Sequence, residues 1–133
     1  MNQLETDFIN YVLEIAKENP DYQYCPMPGS GCHYTRGYGD VETESPNPNC
    51  TGCLLGRAMA RLGADKEFLS RVTFSFGNEY ASALQDHLTS KGLYSHQVMS
   101  TTVISLLQDV QEQQDSGRLW GHCVRDLSSL VSQ

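Results

Sequence analysis

The chain has 133 residues, of which 39% are hydrophobic and 19% are charged, and its formal net charge at pH 7 is -7. A chain of this length and composition can bury a core without relying on disulfides or metal ions, so we expect one domain spanning residues 1–133. The excess of carboxylates argues against direct binding to nucleic-acid phosphates, which needs clustered Lys and Arg. It favours instead a protein partner with a basic surface.

The N-terminal residues lack the positive start and the unbroken apolar block of a secretion signal, and no stretch is long and apolar enough to span a bilayer. We therefore expect a cytoplasmic protein that has no membrane partner. In a reducing compartment, the five cysteines are expected to be thiols or metal ligands rather than disulfides.

Apolar residues recur at helical spacing in six segments. The first helix begins at a capping box formed by Asn2 and Glu5 and stops at Asn19-Pro20. The second runs from Cys53 to Leu62 and ends at Gly63. The third is a short helix capped by Asp65, and the fourth starts after Gly77-Asn78 and closes near Gly92. A long helix capped by Ser100 runs from Thr101 to about Asp115. The inward residues of the final helix are Trp120, Val124, Leu127, Leu130 and Val131.

Two short aromatic segments predict a minor β element. Residues Tyr22–Cys25 and Cys32–Thr35 are separated by prolines and glycines, which is typical of a small hairpin. Thr73–Phe76 alternates as a strand does but is short. The sequence therefore predicts an α+β fold that is mainly helical, with five to six helices and a small antiparallel β-hairpin.

Four cysteines flank the loop that follows the hairpin, and they are candidate zinc ligands: Cys25, Cys32, Cys50 and Cys53. The spacing Cys50-x2-Cys53 allows two thiolates from one turn to bind the same ion, whereas Cys25 and Cys32 are further apart than zinc knuckles require. A zinc ion held by all four would be structural and would leave no open position for catalysis. Buried free thiols are the alternative.

Cys53 also stands at the start of a predicted helix, where the macrodipole lowers the pKa of a thiol and favours a nucleophilic thiolate. A cysteine hydrolase additionally needs a general base, and the four histidines occur in no recognisable local signature. We therefore expect no enzymatic activity. A cysteine hydrolase is retained as an alternative to a cysteine that is simply packed at a helix start.

Asp40, Glu42 and Glu44 lie in a predicted exposed loop between Gly39 and Pro46. These three carboxylates are the candidate binding residues for Lys or Arg side chains of a partner. The alternative interpretation is a solvated connection.

Three features in chain order carry a resemblance: the aromatic segment Cys32–Tyr34, the Cys-Leu-Leu-Gly helix at Cys53–Ala58, and the Gln-Asp-x-Gly-x-x-Trp-Gly turn at Gln114–Gly121. Together they resemble small uncharacterised proteins carried by actinobacteria and their phages. This chain departs from that pattern in its longer loop and in Cys25 and Cys50, so the resemblance gives the zinc hypothesis no support. It also brings no activity with it.

The resemblance, the small size and the acidity together predict a non-catalytic interaction protein encoded by a phage or mobile element. Such a protein would bind and inhibit a host protein such as a defence nuclease, in the manner of anti-CRISPR proteins. Two alternatives remain open: a zinc-stabilised adaptor or regulatory domain, and the cysteine hydrolase.

Overall fold

The computed structural model describes residues 1–21, 54–71 and 77–131. Within these ranges the chain forms seven helices: α1 (Gln3–Glu18), α2 (Leu54–Leu62), α3 (Lys66–Arg71), α4 (Asn78–Ser90), α5 (Thr101–Asp115), α6 (Trp120–Cys123) and α7 (Arg125–Val131). No helix in the described ranges has the length and apolar character needed to cross a membrane.

The α+β prediction is wrong for the described part of the chain, where every regular element is a helix and no strand forms. The segments predicted as strands, Tyr22–Cys25, Cys32–Thr35 and Thr73–Phe76, lie outside the described residues. The fold that the structure supports is a packed set of helices.

The predicted number of five to six helices is also too low. The single helix predicted after Gly117 is two helices, because Val124, at φ -102 and ψ 12, leaves helical geometry between α6 and α7. Trp120, Val124 and Leu127 are buried across this break. The helical spacing of apolar residues therefore continues across Val124, and for this reason it does not show that the helix is interrupted there.

Helices α1 and α2 pack against each other along their apolar faces. Arg61 donates to Glu14 at 3.3 Å and to Glu18 at 3.2 Å, but these ion pairs are exposed and contribute no more than about 1 kcal/mol each. The apolar contact therefore holds the pair together. Its buried members are Leu4, Phe8, Ile9, Val12, Ile15 and Ala16 from α1 and Leu54, Leu55, Ala58, Met59 and Leu62 from α2.

Helix α5 lies beside α2, α4, α6 and α7 and closes the other side of the core. Of its predicted apolar face, Val103, Ile104, Leu107 and Val110 are buried and Leu106 is half-buried, and Gln111 and Gln114 are buried on the same helix. Trp120, at the start of α6, has no exposed surface and is the largest side chain in the core. Burial of one such large apolar side chain stabilises the fold by about 3 kcal/mol or less.

The predicted helix stops at Gly63 and Gly117 are confirmed, with backbone φ of 114 and 90. At Gly117 the N–H donates to the carbonyl of Gln114 and the N–H of Arg118 donates to Gln113, which is a complete Schellman motif. Gly63 and Ala64 repeat the same pair of bonds at the end of α2. Both reversals need a positive φ that L side chains rarely adopt.

Candidate functional site

The residues predicted to carry function all lie outside the described residues. They are the candidate zinc ligands Cys25, Cys32, Cys50 and Cys53 and the candidate binding residues Asp40, Glu42 and Glu44. The zinc site and the acidic loop therefore stay predictions. The structure does describe the residues that hold the chain immediately before and after this segment.

The chain enters the segment from the end of α1, where Pro20 contacts α6. The N–H of Gly121 donates to the carbonyl oxygen of Pro20 at 2.9 Å. A Cβ atom at position 121 would lie 3.1 Å from that oxygen and 3.3 Å from Pro20 Cβ. Glycine thus permits a close approach of two backbones that a side chain would push apart.

The chain leaves the segment at Leu54, the first residue of α2. The Leu54 N–H donates to Oε1 of Gln114 at 2.7 Å, and Gln114 is only 1% exposed. The residue before Leu54 is Cys53, which is not a favoured helix cap. A buried side chain from α5 therefore accepts one of the backbone N–H groups that the start of a helix leaves without an intrahelical partner.

A second contact joins the same two parts of the chain. The guanidinium carbon of Arg57 in α2 lies 5.5 Å from the ring centroid of Trp120. This cation–π geometry places the charge of Arg57 against a fully buried indole.

Two of the three motifs that carry the resemblance therefore contact each other in the fold, since Leu54 and Arg57 of the Cys53–Ala58 motif meet Gln114 and Trp120 of the Gln114–Gly121 motif. In the sequence they are separate features, and nothing in their spacing indicates that they pair. The turn at residues 114–121 holds both Pro20 and Leu54, so the chain on either side of residues 22–53 is fixed to one piece of the helical scaffold.

Cys123 is the cysteine that the described ranges contain, and its surroundings are those of a structural residue. It is 2% exposed, and its thiol donates a weak hydrogen bond to the carbonyl of Arg118 at 3.7 Å. A buried thiol of this kind is inert as a nucleophile.

A small polar cluster joins α3 to the end of α4. Nε2 of His87 accepts the N–H of Asp65 at 3.2 Å, and the imidazole stacks on Phe68 with centroids 4.4 Å apart. The Phe68 N–H donates to Asp65 Oδ1 at 2.8 Å, which confirms Asp65 as the cap of α3. That bond, aided by the Lys91 ammonium 3.7 Å away, lowers the pKa of Asp65.

The arrangement of this cluster is that of a helix cap and a packed ring rather than a catalytic pair. The His87 lone pair, which a general base would need, is occupied by a backbone N–H. In the described part of the chain, no group of three or more His, Cys, Asp and Glu residues is placed to hold a metal ion.

Besides a hollow of about 300 Å³ over the Asp65–His87 cluster, two larger hollows on the described surface are relevant to function. The first, of about 400 Å³, lies between the end of α1 and helices α6 and α7 and is mostly apolar. The second, of about 550 Å³, lies between α5 and α7; it is lined by Thr101, Thr102, Ser105, Leu106, Asp109 and Asp126. We call the second one the acidic hollow, because the described residues that line it include two carboxylates and no basic side chain.

Comparison of this chain with protein-family models, curated proteins and solved structures finds no match.

Proposed function

We propose that this protein is a non-catalytic interaction protein that binds a basic surface on another protein. Its charge carries the proposal, since 16 Asp and Glu residues face only 9 Lys and Arg. A net charge of -7 on a chain this small attracts basic partners over distances of about a Debye length, roughly 10 Å at ordinary salt.

The acidic hollow offers a specific place for a partner's Lys or Arg. Asp109 and Asp126 come from different helices, so the hollow is an arrangement of the tertiary structure rather than a local run of charge. The hydroxyls of Thr101, Thr102 and Ser105 add acceptors for an ammonium or a guanidinium group. One Asp109 oxygen already accepts from Gln113 at 2.6 Å, which orients the carboxylate.

The predicted acidic loop of Asp40, Glu42 and Glu44 is a second candidate surface for the same partner. More specifically, we propose that the protein is the product of a phage or mobile element and that it inhibits a host protein such as a defence nuclease. In that form the carboxylates occupy a basic site that the nuclease normally uses for nucleic acid. The small size, the acidity and the sequence resemblance support this form.

The test measures association kinetics. Affinity capture with the full chain identifies the partner, and association rates are then measured at low and high salt for two variants. These are Asp109→Asn/Asp126→Asn in the acidic hollow and Asp40→Asn/Glu42→Gln/Glu44→Gln in the loop. We expect at least one of them to associate about 3- to 10-fold more slowly at low salt, with a flatter salt dependence.

The matched control is Glu79→Gln/Asp86→Asn, which removes two charges from the exposed face of α4. If the control slows association as much as the hollow variant does, the attraction belongs to the whole molecule and the acidic hollow is not a binding site. If no variant changes the rate or its salt dependence, binding to a basic surface is wrong.

A further inference from the structure

The imidazole of His87 attaches α3, and the connection that precedes it, to the end of α4. Its Nε2 atom accepts the Asp65 N–H at 3.2 Å, and its ring lies on Phe68 with an interplanar angle of 8°. Phe68 in turn packs edge-on against Tyr80 of α4, with ring centroids 6.0 Å apart. The His87 side chain is 16% exposed, so it is mostly enclosed by these contacts but still open to solvent protons.

Helix α3 depends on contacts of this kind because it has only six residues. Such a short helix is unstable alone and relies on its cap and its tertiary contacts. The cap is local, since Asp65 Oδ1 accepts the Phe68 N–H at 2.8 Å. The attachment to α4 comes from two side chains: His87, which accepts the Asp65 N–H, and Lys91, whose Nζ donates to the Gly63 carbonyl at 2.9 Å.

The bond between His87 and the Asp65 backbone requires a neutral imidazole. An Nε2 atom that accepts a hydrogen bond must keep its lone pair, so the proton of the neutral ring lies on Nδ1. A protonated ring carries N–H groups on both nitrogens and has no lone pair to offer. Protonation therefore sets two donors, Nε2–H and the Asp65 N–H, against each other, and the bond between them breaks.

Charged groups from the connection, from α3 and from α4 itself surround the ring. They are Asp65, Glu67, Asp86 and Lys91. Carboxylates and ammonium groups keep their charge between about pH 5.5 and 8, whereas histidine changes its charge within this range. The hydrogen bond from Phe68 lowers the pKa of Asp65, so this carboxylate stays ionised while His87 titrates.

The Asp65 carboxylate offers the protonated ring a new acceptor. Its Oδ2 atom lies 3.7 Å from His87 Nε2 and also 3.7 Å from Lys91 Nζ. A small movement brings Oδ2 within hydrogen-bond distance of Nε2. The Asp65 side chain is 47% exposed, however, and an ion pair at such a position fixes the chain less firmly than the backbone bond that it replaces.

We propose that His87 is a pH-sensitive latch that holds the α2–α3 connection to α4 when the imidazole is neutral and releases it when the imidazole is protonated. On release, Nε2 donates to the Asp65 carboxylate and the Asp65 N–H turns to solvent. Because Asp65 Oδ1 continues to cap α3, the helix stays formed and only its attachment to α4 loosens. The latch thus makes the position of one short helix dependent on pH while the apolar core is unchanged.

NMR spectroscopy of the full chain from about pH 8 to about pH 5.5 tests this proposal. At the upper pH, the ring nitrogens of His87 should show the neutral form with the proton on Nδ1. Amide hydrogen exchange, corrected for its intrinsic pH dependence, should show the Asp65 amide losing about 10-fold in protection as His87 is protonated. The Phe68 amide, bonded to the cap, should keep its protection over the same range.

Two variants assign the effect to this ring. His87→Phe keeps an aromatic ring beside Phe68 but has no acceptor, so the Asp65 amide should be weakly protected at every pH. The matched control His122→Phe removes an exposed imidazole from α6 and should retain the pH dependence of the wild type. The tautomer and the exchange in the wild type test the latch even if His87→Phe does not fold.

A neutral His87 with its proton on Nε2 overturns the proposal, as does an Asp65 amide whose protection is the same at both ends of the pH range. Loss of protection at Asp65, at Phe68 and throughout the core together would show acid unfolding and not a latch. A pH dependence that disappears in His122→Phe also contradicts it. None of these groups lines the acidic hollow, so the outcome is independent of the proposed binding function.

Discussion

Glu5 joins the start of α1 to the start of α5 through one carboxylate. Oε1 accepts the Asn2 N–H and Oε2 accepts the Ser100 N–H, each at 2.9 Å. Burial alone would raise the pKa of Glu5, but the hydrogen bonds from Ser100 and Asn2 outweigh it and hold the pKa below its usual value. The capping box of Asn2 and Glu5 could be predicted because its members are three residues apart, whereas the bond to Ser100 spans 95 residues.

A depressed pKa makes the contribution of Glu5 dependent on pH. The stabilisation is fully present above the unfolded pKa of about 4.3 and is lost as the pH falls through the lower folded pKa. Glu5→Gln should cost about 1–2 kcal/mol of unfolding free energy at pH 7, because Gln keeps one acceptor but not the charge. The difference from wild type should shrink below pH 4.3.

Urea denaturation of both proteins from neutral to acid pH measures this difference, with Glu79→Gln as a control at an exposed position in the first turn of α4. A gap between wild type and Glu5→Gln that stays constant down to strongly acid pH contradicts the role assigned to the ionised carboxylate.

The glycines that end α2 and α5 share a backbone conformation but differ in their surroundings. A Cβ at Gly117 would meet no atom within 4 Å, whereas a Cβ at Gly63 would lie 2.5 Å from Leu93 Cδ1. Gly117→Ala should therefore cost about 1 kcal/mol from backbone strain alone. Gly63→Ala should cost more, because the Leu93 side chain must also move.

Thermal and urea unfolding of the two variants measures both costs. Measuring Gly63→Ala in a Leu93→Ala background isolates the cost of the contact with Leu93. In that background the loss of unfolding free energy caused by Gly63→Ala should fall to that of Gly117→Ala. Equal costs for the two glycines in the wild-type background would show that Leu93 moves without penalty.

At the scale of the helices, Gln114 links the end of α5 to the start of α2. Gln114→Met keeps the length and the apolar volume but removes the acceptor of the Leu54 N–H, which lies in a buried position. Leaving a buried donor unsatisfied costs about 1–3 kcal/mol, and we expect a loss of this size from Gln114→Met. Gln108→Met, at a half-buried position of the same helix, should cost less.

Gln114→Met should also loosen the start of α2 locally, in addition to lowering the unfolding free energy of the whole protein. Amide hydrogen exchange at Leu54 and Leu55 should speed up in Gln114→Met more than exchange in the rest of α2 does. Unchanged exchange at these two amides would mean that Gln114 does not cap α2.

At the scale of the whole molecule, all seven described helices contribute buried side chains to one apolar core. The side chains at the ends of α3 and α7 are outside the described residues. Tyr80 and Leu84 of α4 and Leu69 of α3 reach the same core as α1 and α2. The four candidate zinc ligands lie outside the described residues that form this core.

The zinc prediction is therefore tested on the whole chain. Elemental analysis of protein purified without added metal should give about one zinc per chain if Cys25, Cys32, Cys50 and Cys53 form a structural site. Removing the metal with a chelator should then lower the melting temperature. Zinc far below one ion per chain, with no effect of the chelator, removes the zinc-stabilised adaptor as an alternative.

The sequence by itself determined, to within one or two residues, where α1, α2, α4 and α5 begin and end. The capping box at Asn2, the caps at Asp65 and Ser100 and the stop at Gly117 are contacts between residues a few positions apart, so local chemistry specifies them. The apolar spacing likewise identified the buried face of α1 and the burial of Trp120.

Only the tertiary structure decided which elements meet. Gln114 bonds Leu54 across 60 residues, and Gly121 bonds Pro20 at the far end of α1. No periodic pattern marks the partner of a buried amide or of a close backbone contact, because such partners are chosen by the packing of whole helices. The acidic hollow has the same origin, since Asp109 and Asp126 become neighbours only when α7 packs beside α5.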